Sequence, residues 1–223
     1  MERERARRDG QGGAGGLRAV VWDMDGTLID STRAVPDAYL TAVASLGGPR
    51  LTAEDVIAAY HLGPPARILT HLLGRTATPA DVEEYLDRLR ANAPAAPPYP
   101  GIPETLEKLR GRVGLGVFTG ANHTSAVILL RAAGLLGHFA RVVGGDEVEH
   151  QKPAPDGVQL ACRDLGVEPA AAAYVGDSPS DLEAARRGGA RAYAAGWGHL
   201  YSPDVPADLV LTRPEDLLGI VRG

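Results

Sequence analysis

Apolar positions along this chain follow two rhythms. Short runs at 17–22 (LRAVVW), 113–118 (VGLGVF), 141–143 (RVV), 171–175 (AAAYV) and 190–195 (ARAYAA) give way to polar or glycine-bearing turns, as buried strands do. Between them, 103–110, 122–133, 155–165 and 179–187 carry helical periodicity. Strand and helix alternating through short connections predict an α/β fold, a doubly wound parallel sheet with helices on both faces.

One stretch breaks the alternation. From about Thr32 to Asn92 every periodic segment reads as helix. Leu40, Val43, Ala44 and Leu46 share a face, then Val56, Ala59 and Tyr60, then Ile68, Leu69 and Leu72, then Val82, Tyr85, Leu86 and Leu89. The chain returns through NAPAAPPYPGIP, whose prolines at 94, 97, 98, 100 and 103 oppose helix and favour a stiff extended connector. This crossing and the one near 30–33 read as a hinge pair. Residues 1–16 (MERERARRDGQGGAGG) have no apolar period and read as a disordered leader. The expected organisation is a leader at 1–16, a core from 17–32 and 93–223, and an all-helical insert at 33–92.

Composition then narrows the classes of function. With 44% apolar and 23% charged residues, a 223-residue chain can bury a core without crosslinks. Its single cysteine, Cys162, excludes an internal disulfide and a cysteine-based metal site. No run reaches the roughly 18 apolar residues of a membrane helix, and the N-terminus lacks a secretory pattern, so a cytoplasmic protein without a membrane partner is expected. A net charge of −5, with the basic residues scattered, opposes a nucleic-acid partner. Of the 23 basic residues 21 are arginine, which raises the question of why Lys108 and Lys152 remain lysine. An aromatic content of 5% disfavours a stacking platform for a nucleotide base. A monomer or weak homodimer is expected.

Open parallel sheets bind ligands beyond the carboxyl ends of their strands. There the sequence is unusually polar: Asp23-Met24-Asp25-Gly26-Thr27, then Thr119-Gly120-Ala121-Asn122, then His150-Gln151-Lys152-Pro153, then Gly176-Asp177-Ser178-Pro179-Ser180-Asp181. Carboxylates without His or Cys partners select a hard cation such as Mg²⁺. His123, His138, His150 and His199 lack metal-ligand spacing.

These four segments, DMDGTLID, FTG, QKPAPDG and VGDSPSDLEAARRGGA, resemble in order the four motifs of the haloacid dehalogenase superfamily. The resemblance spans about 17–197 apart from the insert, whose place after the first motif is similar to the small helical cap of the phosphoglycolate phosphatase-like branch. It implies a Rossmann-like core and a Mg²⁺-dependent phosphatase acting on a small phosphorylated metabolite. By position it makes Asp23 the nucleophile and Asp25 the general acid and base; true dehalogenases generally lack the second aspartate. It implies a metal site from Asp23, the backbone carbonyl of Asp25 and Asp177, with Asp181 acting through water or through Lys152. Thr119, Gly120, Asn122 and Lys152 would meet the phosphate, and Arg67, beside the Gly/Pro break of the insert, a second anionic group of the substrate.

Taken singly, each has an ordinary reading. Asp25-Gly26 can be a turn, Thr119-Gly120 a strand end, Lys152-Pro153 a solvated loop, Asn122 or Asp181 a helix-capping residue, and Arg67 a solvated first-turn residue. The competing functions are a sugar-phosphate mutase of the same superfamily and a non-catalytic phosphate-binding protein.

Overall fold

The structure is a computed structural model that describes residues 16–221 of the chain. The leader expected at 1–16 lies, but for Gly16, outside the described residues. Six parallel strands, β1 (Ala19–Trp22), β2 (Gly114–Phe118), β3 (Arg141–Val143), β4 (Ala172–Gly176), β5 (Arg191–Ala195) and β6 (Leu209–Leu211), form one sheet in the order β3-β2-β1-β4-β5-β6. Side chains of β1 alternate between two apolar clusters: Val20 and Trp22 on one face, Ala19 and Val21 on the other. All four are fully buried, which is why this strand reads as a continuous apolar run.

Helices α5 (Ile102–Leu109) and α6 (His123–Ala132) cover the first face, and α7 (Asp156–Asp164) and α8 (Pro179–Gly188) the second. Between β1 and α5 lie α1 (Ala34–Ser45), α2 (Ala53–Ala58), α3 (Pro65–Leu73) and α4 (Pro79–Asn92), with no strand among them. The two chain crossings lie side by side: Asp30 donates its N–H to the Pro97 carbonyl at 2.9 Å, and Tyr99 its own to the Leu28 carbonyl at 3.0 Å.

Three expectations need correction. The strand β6 escapes the pattern because Leu209 and Val210 are exposed at the sheet edge and only Leu211 is buried. Helix α1 buries Ala34, Pro36, Ala38, Tyr39, Ala42 and Val43 and leaves Ala44 exposed, so its inward face is set by small residues and one tyrosine rather than by its leucine. Pro103 stands inside α5, in the first turn where its missing N–H costs nothing, and Pro94 lies in a short 3-10 turn.

Helix α4 is held at its start by a reciprocal cap in which Thr78 and Asp81 each accept the other's backbone N–H. Arg75 adds a two-pronged bond to Asp81, at 2.7 and 3.0 Å. These donors hold the Asp81 carboxyl well below the usual carboxylate range, the Arg75 bond first among them. A depressed carboxyl contributes its stability fully above its unfolded pKa, about 3.9, and loses it as the pH falls further. Asp81→Asn should therefore lower Tm by about 2–4 °C at pH 7, and the gap to the parent should shrink at pH 3. Thermal melts at the two pH values check this; an equal gap at both would refute it.

Candidate active site

The register of the central strands creates the site. Trp22 lies beside Val117 of β2 and Val175 of β4, so Asp23, Thr119 and Asp177 emerge together from one edge of the sheet. All three are buried. Asp181 joins them from the first turn of α8, close against Gly176, where an added Cβ would come within 2.5 Å of Asp181. Gly26 turns the chain after Asp25 with φ +82°, and a Cβ there would fall 2.5 Å from Asp177 Oδ2.

Lys152, reached from the loop before α7, is the cation of this cluster. Its Nζ donates to Asp23 Oδ1 at 2.7 Å and to Asp181 Oδ1 at 2.6 Å, and lies 3.4 Å from the Tyr174 hydroxyl. It also stands 5.5 Å from the centre of the Phe118 ring. Burial works against its charge, but Asp181 and Asp23 outweigh burial and raise the ammonium well above its usual pKa. The three donors of a compact ammonium are all used, an arrangement for which a planar guanidinium is the wrong shape. That is a physical reason for lysine at this position in an arginine-rich chain.

Asp181 does both of the things its sequence context allows. Its Oδ2 caps α8 through the Ser178 N–H (3.0 Å) and hydroxyl (2.7 Å), while its Oδ1 takes Lys152. Asp177 accepts the Leu200 N–H at 2.9 Å on Oδ2, and its Oδ1 is buried with no hydrogen-bond partner. Oxygens of Asp23, Asp177 and Asp181 lie within 4.8 Å of one another. Burial, and then the neighbouring Asp181, push the Asp23 carboxyl well up against the pull of Lys152. Burial also raises Asp177. Three buried carboxylates against one ammonium form a set that a hard divalent cation fits, and the unpartnered oxygen of Asp177 is a ready donor to it.

The Asp25 side chain stands apart from that trio. Ser31 donates to its Oδ1 at 2.5 Å and Thr119 to its Oδ2 at 3.4 Å. Burial raises its carboxyl, and the Ser31 bond, the Lys152 charge and the Thr119 bond offset part of the rise. Gly120 and Asn122 line the same cavity; Asn122 accepts the Ser125 N–H at 3.1 Å and so caps α6. Arg67 is exposed in the first turn of α3 and is not among the lining residues.

Three residues join the site without a sequence signal for it. Ser31 follows a turn with no periodic pattern, and Tyr174 reads as one more apolar strand residue. Its hydroxyl donates to the Phe118 carbonyl at 2.8 Å beneath Lys152. His199 has no ligand spacing, yet it lines the cavity with Nδ1 3.8 Å from Asp177. The cavity measures about 430 Å³ and reaches from these residues into the helical insert. Although aromatics are few, three of the seven tyrosines, Tyr39, Tyr60 and Tyr85, stand in its wall.

A protein-family model described as haloacid dehalogenase-like hydrolase matches residues 17–189. The chain is 32% identical to the phosphoglycolate phosphatase of Aquifex aeolicus (strain VF5) over 211 residues, covering 92% of this chain and 97% of that protein. It is 30% identical over 218 residues to the N-acetylmuramic acid 6-phosphate phosphatase of Pseudomonas aeruginosa (strain PAO1), covering 92% and 95%. A crystal structure of a haloacid dehalogenase-superfamily hydrolase of subfamily IA from Geobacter sulfurreducens superposes with a TM-score of 0.68 at 27% identity, over 95% of this chain and 100% of that one. Fold, family match and relatives agree: the chain belongs to the haloacid dehalogenase-like hydrolases and is an enzyme of their phosphoric monoester hydrolase branch.

Proposed function

We propose that this enzyme hydrolyses a phosphate monoester in two steps through an aspartyl-phosphate on Asp23. The observation that carries the reading is the Lys152 ammonium held between buried Asp23 and Asp181, beside the unpartnered oxygen of Asp177. A carboxylate oxygen of Asp23 attacks phosphorus while the ester P–O bond breaks, and Asp25 gives its proton to the departing alkoxide. Asp25, now ionised, takes a proton from water, whose oxygen attacks phosphorus, releases inorganic phosphate and regenerates the Asp23 carboxylate. Its raised pKa suits the acid role, and Ser31 holds the carboxyl in place for both steps.

Asp23, Asp177 and the backbone carbonyl of Asp25 would hold Mg²⁺, with Asp181 behind them. When bound, Mg²⁺ supplies charge neutralisation between the carboxylates and the anionic phosphate. Lys152 holds the orientation of Asp23 and offers positive charge to the phosphoryl oxygens; the Thr119 hydroxyl and the Gly120 amide are donors to the same oxygens. The helices of 33–92 serve as a cap that limits water at the site.

The test is phosphate release from p-nitrophenyl phosphate with Mg²⁺, in excess chelator, and after Mg²⁺ is restored. Release should vanish in chelator and return with the metal, and millimolar beryllofluoride with Mg²⁺ should block it. Release indifferent to chelator would remove the metal from the mechanism, and indifference to beryllofluoride would remove the covalent step.

A further inference from the structure

The part of the cavity wall contributed by the helical insert is apolar and electrically neutral. Tyr39 and Tyr85 stack at 4.0 Å between ring centres with planes 21° apart, and Tyr60 lies 6.4 Å from Tyr39. Ile57 and Ile68 continue this surface. Five large apolar side chains are exposed among the described residues: Ile57, Tyr60, Leu200, Leu209 and Val210. The last two lie on the edge strand; the first three all line this cavity. Ile57 and Tyr60 approach from the helical insert and Leu200 from the core, so both sides of the mouth are greasy. Exposed apolar surface concentrated at one opening marks a place where an apolar ligand group is covered.

The charges point the same way. Among the described residues no arginine lines the cavity. Its one lysine is held by Asp23 and Asp181, and His199, the only other basic side chain among the described lining residues, faces Asp177. Burial raises the hydroxyls of Tyr39 and Tyr60 and pushes that of Tyr85 up to about 12, so all three tyrosines stay uncharged at working pH. A substrate carboxylate or second phosphate would enter this wall without a cation among the described lining residues to meet it, which is costly in a low-dielectric pocket.

We infer that the substrate is the phosphate monoester of an uncharged, largely apolar alcohol, whose carbon skeleton lies between the Tyr39–Tyr85 stack with Tyr60 and the Ile57–Leu200 rim. This rests on the phosphatase reading above and deepens it. Carboxylate-bearing and polyhydroxylated esters are correspondingly poor substrates.

The test compares kcat/KM, with Mg²⁺, for ethyl, n-butyl and n-hexyl phosphate, which share a leaving-group class, and for 2-phosphoglycolate and glucose 6-phosphate. Burial of each methylene is worth roughly a threefold gain, so n-hexyl phosphate should exceed ethyl phosphate by at least about tenfold. It should exceed 2-phosphoglycolate and glucose 6-phosphate by a similar factor. Ile57→Arg, a change at an exposed position, should reduce the hexyl-to-phosphoglycolate ratio at least about fivefold. As a readout independent of turnover, n-hexylphosphonate should raise Tm more than methylphosphonate at equal concentration. If p-nitrophenyl phosphate is hydrolysed but the alkyl series is flat, or 2-phosphoglycolate or glucose 6-phosphate is preferred, the inference fails and the phosphatase reading stands. If no phosphate ester is cleaved, both fail.

Discussion

Asp23→Asn should abolish phosphate release, by at least about 10³-fold in kcat/KM, while leaving the fold intact. The substitution keeps size and shape at a buried position but removes both the attacking charge and a carboxylate from the proposed metal cluster. Stability should not fall with it. Lys152 keeps Asp181 as a partner at 2.6 Å, and the loss of the Asp23 charge relieves the repulsion from Asp181 that helps to raise its carboxyl. Removing one member of a buried pair is usually destabilising, but here the lysine starts with two carboxylates and ends with one. Steady-state assays with Mg²⁺ and thermal melts of the two proteins separate the effects. Activity within tenfold of the parent, with an unchanged Tm, would take the nucleophile's role from Asp23.

Asp25→Asn should slow phosphorylation of the enzyme by about 10²- to 10⁴-fold with ethyl phosphate and far less with p-nitrophenyl phosphate. An alkoxide leaves only with a proton from Asp25, whereas p-nitrophenolate departs with little help. Asp23→Asn should impair both esters alike, because it removes the attacking carboxylate whatever the leaving group. Single-turnover kinetics are needed, since the second step also uses Asp25 and would hide the difference in steady state. The introduced amide still offers Ser31 an acceptor oxygen and is held in the same place, so the comparison reports on the proton rather than on position. Equal slowing of both esters, with Mg²⁺ affinity retained, would reassign Asp25 to a structural part.

The α/β order was legible because buried parallel strands must be apolar on both faces. The runs before Asp23, Thr119 and Asp177 stand out against the polar turns that follow them. Asp23, Asp25, Thr119, Asp177 and Asp181 could be named from the sequence because each follows a strand or opens a helix, where a parallel sheet gathers its polar residues; Lys152, in the loop between β3 and α7, was marked instead by the rarity of lysine in an arginine-rich chain and by the motif resemblance. The insert was legible as helical from its period, and the cap at Ser178 from its spacing. Strand β6 was not legible, because an edge strand of three residues with two exposed has too little burial to mark it.

What only the tertiary structure decided is which side chains share a space. Ser31 meets Asp25 around a turn, and Tyr174 meets Lys152 across 22 positions of the chain. No local pattern encodes those meetings. The same holds for the cavity wall: a low average of aromatics says nothing about three tyrosines drawn from α1, the turn after α2, and α4 to one surface. Arg67, legible as a cation near a turn, stands outside the cavity for the complementary reason. Sequence period gives the face of a helix that turns inward, whereas the packing of helix against helix sets what that face looks upon.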